Sequence, residues 1–381
     1  MEKINVLVLG AGMVGSVIAR DLSKFYNVTV ADINQDALKI LQREGIDTLH
    51  SDLSHPEQLE RVSQNFEFFV NCLPGNIGYN ALKTLIKLNK KIADISFFAE
   101  SAIELNDLAI KYGSTVVFDI GVAPGLSNLI LGQHYAKAQV EEFVCYVGGL
   151  PKERKWPFEY KAPFSPSDVI EEYTRPARIK ENGKIVIKPA LSEREYVFFP
   201  GIGTLEAFNS DGLRSLLFSL DVPNMKEKTL RYPGHAQLME IFCITGLFSD
   251  DKIMIGDHQI APRAVTEHLL RNHWQLNPED DEFTVMKILI TQNENNSKAT
   301  YEYFLYDQRD RNTGFSSMSR TTGFTCAAAL HLLVKNKINQ TGVIAPEVLG
   351  QNTEAYDFIL HYLEERNIRL SCRKLNIEES F

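Results

Sequence analysis

Short apolar runs and helically spaced apolar residues alternate through the first third of the chain. The first run, residues 4–9 (INVLVL), has the length and composition of a strand that is buried on both faces. Similar runs recur up to residues 114–121 (STVVFDIG), and segments such as residues 34–44 separate them with helical spacing. This alternation predicts a parallel sheet of six strands with helices on both faces.

From about residue 140 the pattern changes to strands in which polar and apolar residues alternate. Examples are residues 141–151 (EEFVCYVGGLP), 282–293 and 299–308, and the polar loop between the last two predicts an antiparallel pair. The final stretch returns to helical spacing in GFTCAAALHLLVKN and EAYDFILHYLEERN. We therefore expect an α+β region on a mainly antiparallel sheet, followed by C-terminal helices.

A glycine-rich turn follows the first predicted strand. Gly10, Gly12 and Gly15 have GxGxxG spacing, and helical periodicity begins directly after them. In such a strand–turn–helix unit the first glycine permits the tight turn, the second lets the backbone approach a pyrophosphate, and the third lets the helix pack on the strand. Because the helix N-terminus offers free N–H groups to an anion, the motif predicts a Rossmann dinucleotide-binding domain.

An acidic residue ends the second predicted strand, residues 27–32 (NVTVAD). Asp32 lies about 20 residues beyond the first glycine, where a carboxylate accepts hydrogen bonds from a ribose 2′-hydroxyl. A carboxylate would repel a 2′-phosphate, and no arginine directly follows it. The sequence therefore favours NAD over NADP as the cofactor.

Polar residues also end several later strands, and ligands of such sheets bind outside the carboxyl ends of the strands. Asp52 is placed to meet the adenine, whereas Asp94 and Asp119 rim the same cleft and have the alternative of capping a helix. The predicted cofactor-binding residues are Gly10, Gly12, Met13, Val14, Gly15, Asp32, Asp52, Leu73, Pro74, Ser96 and Asp119.

These patterns predict an α/β chain with three parts. Residues 1–125 form the NAD-binding Rossmann domain, a doubly wound parallel sheet. Residues 126–325 form an α+β domain for substrate binding and dimerisation, and residues 326–381 form C-terminal helices that pack back on the Rossmann domain. Two domains are also expected from the length of 381 residues, because single cores rarely grow beyond about 250–300 residues.

Composition narrows the possible partners. The net charge of −9 gives no basis for binding nucleic acid through phosphate neutralisation. No apolar run approaches the length of a membrane span, and the first strand lacks a signal-peptide pattern. Five cysteines without CxxC spacing indicate reduced thiols in a cytoplasmic protein, with neither a disulfide framework nor a metal site.

A second candidate site lies in the segment LRYPGH. Pro233 and Gly234 turn the chain, and apolar residues at helical spacing follow, so His235 falls in the first turn of a helix. There the helix dipole keeps imidazole neutral near pH 7, and Arg231 is suited to a carboxylate. In the alternative, purely structural interpretation the histidine caps the helix and the arginine pairs with a surface acid.

Several longer motifs carry a family resemblance. VAPGLSN, YVGGLP, EEYTRPA, LEAFNSDGLRSLL and RYPGH follow the GxGxxG turn in this order, and together they resemble the saccharopine dehydrogenase family over residues 4 to 350. Chain length and the Val-Ala-Pro-Gly wording are most similar to its lysine 6-dehydrogenase branch. Saccharopine-forming members often carry Asp-Pro-Gly where this chain has Ala123, Pro124 and Gly125.

The resemblance implies reversible oxidation of an amino-acid carbon–nitrogen bond with a nicotinamide as hydride acceptor. Such chemistry needs a base, because an alkyl ammonium has a pKa near ~10.4. We assign that role to His235, expecting it to titrate between pH about 6 and 8; Asp94 is the second catalytic candidate. Arg231, Glu172 and Tyr173 are the predicted substrate-binding residues, with the latter two matching the family's EEYTRPA motif.

The leading hypothesis is an NAD-dependent dehydrogenase that converts L-lysine into 2-aminoadipate 6-semialdehyde and ammonia. One alternative is a saccharopine or carboxyspermidine-type reductase acting on a larger imine. An alternative of another class is a non-catalytic NAD(H)-binding regulator. Expected partners are a small amino-acid substrate and, through strand-edge pairing in the second domain, a second copy in a homodimer.

Overall fold

A computed structural model describes residues 3–162, 166–277, 279–294 and 297–375. In chain order the elements are β1 Asn5–Leu9, α1 Met13–Leu22, β2 Asn27–Asp32, α2 Gln35–Arg43, β3 Asp47–His50, α3 Pro56–Ser63, β4 Phe68–Asn71, α4 Gly75–Lys87, β5 Lys91–Asp94, a 3₁₀ helix Ala102–Leu105, α5 Asn106–Tyr112, β6 Thr115–Val117, α6 Leu126–Tyr135, β7 Gln139–Pro151, α7 Pro166–Thr174, β8 Ala177–Glu181, β9 Lys184–Lys188 and β10 Glu195–Phe199. They continue with β11 Gly203–Asn209, α8 Leu216–Ser219, β12 Asn224–Arg231, α9 His235–Ile244, β13 Ile253–Ile255, β14 His258–Ile260, α10 Pro262–Trp274, β15 Glu282–Glu294, β16 Ser297–Gln308, α11 Ser317–Val334, β17 Gly342–Ile344, α12 Pro346–Gly350, α13 Thr353–Glu364 and β18 Leu370–Leu375.

The chain divides into two compact units. The first contains residues 1–138, 214–220 and 318–369, and the second contains residues 139–213, 221–317 and 370–381. The division predicted after residue 125 needs correction, because Gly132 on α6 packs so closely on α12 that a side chain there would overlap the backbone of Glu347. The division predicted after residue 325 also shifts, since α11 joins the first unit almost from its start.

The first unit is built on a parallel sheet with the strand order β17-β6-β5-β4-β1-β2-β3. Its central strands are apolar and buried; β4, for example, is buried along its whole length. Crossover helices bury their apolar faces on the sheet, as α4 does with Leu82, Leu85 and Ile86. This confirms the predicted doubly wound Rossmann architecture and adds β17, a seventh strand that the sequence pattern did not reveal.

The second unit contains nine described strands in one mixed sheet. The main path runs β10-β11-β12-β7-β15-β16-β18, β8 pairs with β12, and β9 pairs with β8. Only the β12–β7 pair is parallel among these described pairs, and the predicted hairpin of β15 and β16 is present with continuous register. The sheet is therefore mainly antiparallel, as predicted.

Helices α7, α9 and α10 bury apolar and aromatic residues in the core of the second unit. Tyr173 of α7, Met239 of α9 and Trp274 of α10 lie in one buried cluster with Phe208 and Leu230 from the sheet. This core brings residues of distant sequence segments together around the start of α9. No helix in the described part of the chain combines the length and apolarity that crossing a membrane requires.

Candidate functional site

The glycine turn of the first unit has the geometry that its spacing predicts. Gly10 has a φ of +103°, in the left-handed region that favours glycine, and a Cβ there would lie 2.9 Å from the carbonyl oxygen of Cys72. A Cβ on Gly15 would lie 2.2 Å from the carbonyl oxygen of Gly10. These two glycines are therefore required for the packing of β1, α1 and β4.

Gly12 differs from the other two glycines because a Cβ at this position would meet no protein atom within 4 Å. It is the N-terminal cap of α1, and its helix end has no side-chain cap. The free N–H groups of the first helical turn therefore face open space beside a residue without a side chain. This arrangement fits the pyrophosphate of a dinucleotide.

Asp32 lies next to this turn at the end of β2. Its carboxylate accepts hydrogen bonds from the backbone N–H of Ala11 at 2.5 Å and from that of Asn34 at 2.6 Å. The two bonds hold the carboxylate at the edge of the glycine turn, where the sequence places the ribose contact. Of the other predicted contacts, Asp52 accepts hydrogen bonds from Ser54 of its own loop.

Asp94, the second catalytic candidate, is fully buried at the end of β5. It accepts hydrogen bonds from the Asn71 side-chain amide at 2.5 Å and from the Ser96 backbone at 2.9 Å. Burial raises the pKa of Asp94 to about 8, against the effect of these hydrogen bonds, and the Asp119 charge adds to the rise. Because no part of this carboxyl reaches solvent, its placement does not support direct contact with a substrate.

Asp119 has an arginine partner that the sequence analysis did not predict. Its carboxylate pairs with Arg214, with 3.0 Å between Nε and Oδ2, and Arg214 additionally donates to the carbonyl oxygen of Phe98. Both side chains are almost completely buried. The Asp119 carboxylate is thus occupied by an arginine from a distant segment, and its contact with the cofactor stays a prediction.

The remaining predicted cofactor contacts vary in their exposure. Met13 and Pro74 are exposed at the starts of α1 and α4, and Val14 is half-buried. Leu73 and Ser96 are buried, and the Ser96 hydroxyl has no hydrogen-bond partner among the described residues. The helix-start residues therefore remain reachable, whereas Leu73 and Ser96 support the end of β4 and β5 from within.

In the second unit, the Pro-Gly turn joins β12 to α9 as the sequence predicts. Gly234 has a φ of +95° and is the N-terminal cap of α9, which begins at His235. The backbone N–H of Gly234 donates to the Glu206 carboxylate at 3.0 Å. Glu206 lies opposite Arg231 in the β11–β12 register. The turn is thus fixed by a buried carboxylate on the neighbouring strand.

Arg231, Tyr173 and His235 form a buried chain of hydrogen bonds. Arg231 Nε donates to the Tyr173 hydroxyl at 3.0 Å, and that hydroxyl lies 3.0 Å from His235 Nε2. His235 Nδ1 lies 2.7 Å from the carbonyl oxygen of Phe158 and must donate to it, because a carbonyl only accepts. The histidine is therefore the Nδ1–H tautomer, and both of its ring nitrogens are occupied.

His235 is neutral but does not have the predicted near-neutral pKa. Burial and, to a smaller extent, the nearby Arg231 charge lower its pKa to about 3, and the hydrogen bond to Phe158 opposes both effects. Tyr160 and Trp274 pack against the ring. With 3% of the His235 surface exposed, its placement does not support direct contact with a substrate.

Glu172 is the accessible member of this cluster. Its carboxylate pairs with Arg231 Nη2, and 18% of the Glu172 side chain is exposed against 3% for Arg231. Burial raises the pKa of Glu172, and the arginine opposes that rise. Arg231 also stacks on Tyr160, with 4.4 Å from its guanidinium carbon to the ring centroid. The predicted carboxylate-binding arginine is thus already neutralised within the protein.

The sequence interpretation missed several residues that shape these two clusters. Asn71 ends β4 just as Asp94 ends β5, so the rule that selected Asp94 also applies to Asn71. Arg214 and Glu206 stood within the motif LEAFNSDGLRSLL without an assigned role. Tyr160 and Trp274 carried no pattern that would mark them. Among the described residues, no group of three or more His, Cys, Asp or Glu side chains is arranged to hold a metal ion.

Two family models match most of the chain. Residues 6–117 match the saccharopine dehydrogenase NADP binding domain, and residues 121–368 match the saccharopine dehydrogenase C-terminal domain. The first match supports a nicotinamide dinucleotide as cofactor, in agreement with the open face of the glycine turn.

Similar proteins have related names. A saccharopine dehydrogenase [NADP(+), L-glutamate-forming] from Saccharomyces cerevisiae is 25% identical over 68% of this chain and 61% of its own length. Rat mitochondrial alpha-aminoadipic semialdehyde synthase is 26% identical over 65% of this chain and 29% of its own length. The matches thus span less than two thirds of these relatives. The solved apo saccharopine dehydrogenase of S. cerevisiae has the same fold, with a TM-score of 0.79, 20% identity and coverage of 98% of this chain and 100% of that one.

Proposed function

The chain belongs to the saccharopine dehydrogenase family, and we propose that it is an NAD-dependent dehydrogenase that oxidises a carbon–nitrogen bond of an amino acid. The proposal of NAD as the cofactor rests on Asp32, whose carboxylate is fixed at the glycine turn by the Ala11 N–H. A fixed negative charge at this position accepts hydrogen bonds from the ribose hydroxyls of NAD and opposes the 2′-phosphate of NADP. With its adenosine ribose held by Asp32 and its pyrophosphate at the glycine turn, NAD would supply the nicotinamide that accepts the hydride.

The cofactor proposal is tested by replacing Asp32 with alanine and measuring NAD and NADP binding by calorimetry. We expect the wild type to bind NAD more tightly and Asp32→Ala to lose at least about tenfold in NAD affinity while gaining affinity for NADP. Asp36→Ala is a matched control, because Asp36 lies four residues further on and pairs with Lys39. Preference of the wild type for NADP would contradict the assignment of Asp32 to the ribose.

For the substrate we propose L-lysine, oxidised at its side-chain amine. Lysine, NAD and water give 2-aminoadipate 6-semialdehyde, NADH, ammonium and a proton. Two buried cations of the second unit, Arg231 and Lys228, are each paired with a carboxylate of the same unit. Neither is left as a free positive charge for saccharopine, which carries three carboxylates, and this supports a smaller substrate.

Within the second unit, we assign contact with the substrate to Glu172. Its carboxylate is partly exposed, and its raised pKa makes it a better proton acceptor than an ordinary glutamate. It suits an ammonium group that must lose a proton before hydride transfer. Arg231 and His235 act through it and through Tyr173 as positioning residues, since their polar atoms already bond to protein groups.

Saccharopine is the second candidate substrate. It is favoured by the names of the relatives, several of which are saccharopine dehydrogenases of the L-glutamate-forming type. Oxidation of saccharopine at its secondary amine, followed by hydrolysis, would give the same semialdehyde and glutamate in place of ammonium. The two candidates therefore differ in the nitrogen-containing product.

A further inference from the structure

Trp156, in the segment between β7 and α7, is the most exposed large apolar residue in the described part of the chain. Its exposed fraction is 88%, whereas the other tryptophan, Trp274, is completely buried. Tryptophan gives a large contact area with few rotatable bonds, and residues of this type dominate binding contacts when they are held in place. The question is therefore what holds Trp156 in place and which ligand covers it.

A short turn fixes the backbone around Trp156. The backbone N–H of Glu159 donates to the carbonyl oxygen of Lys155 at 2.8 Å and closes the turn. Arg154 Nε donates to the Glu159 carboxylate across the same turn, also at 2.8 Å. The Arg154 guanidinium carbon in turn lies 4.6 Å from the centroid of the Tyr232 ring. The exposed indole is therefore carried by a turn that is attached to the second unit.

The same turn leads directly into the cluster that contains Glu172. The Tyr160 ring lies 4.4 Å from the guanidinium carbon of Arg231, and Arg231 is paired with Glu172. Trp156 precedes Tyr160 by four residues, so their Cα atoms are less than about 14 Å apart even in an extended chain, and the closed turn shortens this distance. Trp156 is thus held in the neighbourhood of the partly exposed Glu172 carboxylate.

We propose that Trp156 is a substrate-binding residue, whose indole covers the alkylammonium side chain of an amino acid bound at Glu172. The inference rests on the proposed function in one respect, the assignment of substrate contact to Glu172. An alkylammonium group suits both residues. The carboxylate pairs with the charge, and the indole face attracts a cation through its quadrupole while it covers the methylene groups.

The charged residues of the turn leave the indole available to a cation. Residues 153–159 contain two acidic and two basic side chains, so their formal charges cancel. Lys155 pairs with Glu153 at 3.1 Å, and Arg154 pairs with Glu159. A positively charged ligand therefore meets no net positive charge from this turn.

Intrinsic fluorescence tests the contact directly, because the chain contains two tryptophans and Trp274 is buried. Acrylamide quenching is measured with ADP-ribose present, which fills the dinucleotide site and cannot accept a hydride. We expect saturating L-lysine to lower the quenching constant of the wild type at least about threefold, because bound ligands are largely enclosed by their sites. Trp156→Ala should show almost no quenching with or without lysine.

Saccharopine is the second ligand in the quenching experiment. Protection of Trp156 by saccharopine and not by lysine would support the indole as a substrate contact and contradict lysine as the substrate. Equal quenching without ligand, with lysine and with saccharopine would overturn the inference.

Steady-state kinetics test the same contact independently. Trp156→Ala should raise the KM for the amino acid at least about tenfold without changing NAD affinity, and Trp156→Phe should recover most of the loss because it keeps an aromatic face. Tyr196→Ala, which removes an exposed aromatic side chain from β10 of the same unit, is the matched control and should keep the wild-type KM. A wild-type KM in Trp156→Ala would contradict the inference, whichever amino acid is oxidised.

Discussion

Two buried arginine–carboxylate pairs, one taken from each unit, differ in their access to solvent. In the first unit Arg214 and Asp119 keep 4% and 2% of their side chains exposed, and Arg214 also donates to the Phe98 carbonyl. In the second unit Arg231 is equally buried, but its partner Glu172 keeps 18% of its side chain exposed. Both carboxylates were predicted from sequence to be site residues.

The comparison distinguishes a structural ion pair from an ion pair whose carboxylate is still accessible for reaction. Asp119 and Arg214 both have left-handed backbones, with φ of +49° and +50°, and such conformations persist where the surroundings fix them. Their pair joins residues 214–220 to the rest of the first unit. The Glu172 pair, by contrast, presents a carboxylate with a raised pKa at the surface of an aromatic cluster. Solvent access, more than charge or burial of the arginine, therefore distinguishes the functional candidate.

The largest effect on the free energy of unfolding is expected from breaking the Arg214–Asp119 pair. Arg214→Met leaves the Asp119 carboxylate buried without a cation, which typically costs about 3–5 kcal/mol of unfolding free energy. Chemical denaturation followed by circular dichroism measures this loss. The double variant Arg214→Met/Asp119→Asn removes the uncompensated charge and should recover part of the stability. An unchanged unfolding free energy in the single variant would show that the pair is not structural.

A smaller effect on the free energy of unfolding is expected from His235, which is hydrogen-bonded through Tyr173 to Arg231. His235 has a pKa of about 3 in the folded chain against an ordinary value of 6.5, so below pH 6.5 the unfolded chain binds a proton that the folded chain does not. Stability is fully present above pH 6.5 and falls as the pH drops towards 3, by about 2 kcal/mol between pH 6.5 and 5.

This pH dependence is measured by comparing denaturation of the wild type and His235→Gln across pH 5 to 7. The stability gap between them should narrow towards pH 5, because the variant lacks the titrating group. His268→Gln, at an exposed position on α10, should follow the wild type throughout. Parallel curves for the wild type and His235→Gln would mean that His235 titrates normally in the folded chain.

The smallest energetic effect, and the one most specific to activity, is expected from changing Glu172. Glu172→Gln should lower kcat/KM for the amino acid at least about tenfold, without changing NAD affinity, because it removes a proton acceptor and keeps a hydrogen-bond acceptor for Arg231. Asp119→Asn makes the same chemical change in the Arg214–Asp119 pair and should lower stability more than activity. The comparison fails if the two variants lose activity and stability in the same proportions.

Sequence pattern was sufficient for the glycine turn of the first unit because the information for this turn is local. The glycine turn, the strand before it and Asp32 lie within residues 4–32, and spacing alone defines their geometry. The predictions failed where distant segments meet. β17 is three residues long and adds to the sheet from near the C-terminus, and α6 packs with α12 across more than half of the chain. Neither periodicity nor composition records such pairings.

Contacts between distant segments also limited the prediction for the hydrogen-bond chain of Arg231, Tyr173 and His235 in the second unit. The Pro-Gly turn and the start of α9 at His235 could be predicted from residues 230–242, and both are present. The burial of His235 could not, because it arises from Tyr160, Tyr173 and Trp274, which come from three other segments. Since the pKa depends on that burial, the position of His235 at the start of a helix was not sufficient to predict its pKa.

Steady-state absorbance of the reduced nicotinamide tests the proposal that the chain oxidises a primary amine with NAD. Purified protein is incubated with NAD and L-lysine, and separately with saccharopine, each with NAD or NADP, and ammonium and glutamate are assayed. The account predicts NADH formation from lysine and NAD, with one ammonium released per NADH. Glutamate release from saccharopine without turnover of lysine, or binding of NAD without oxidation of either compound, would contradict it.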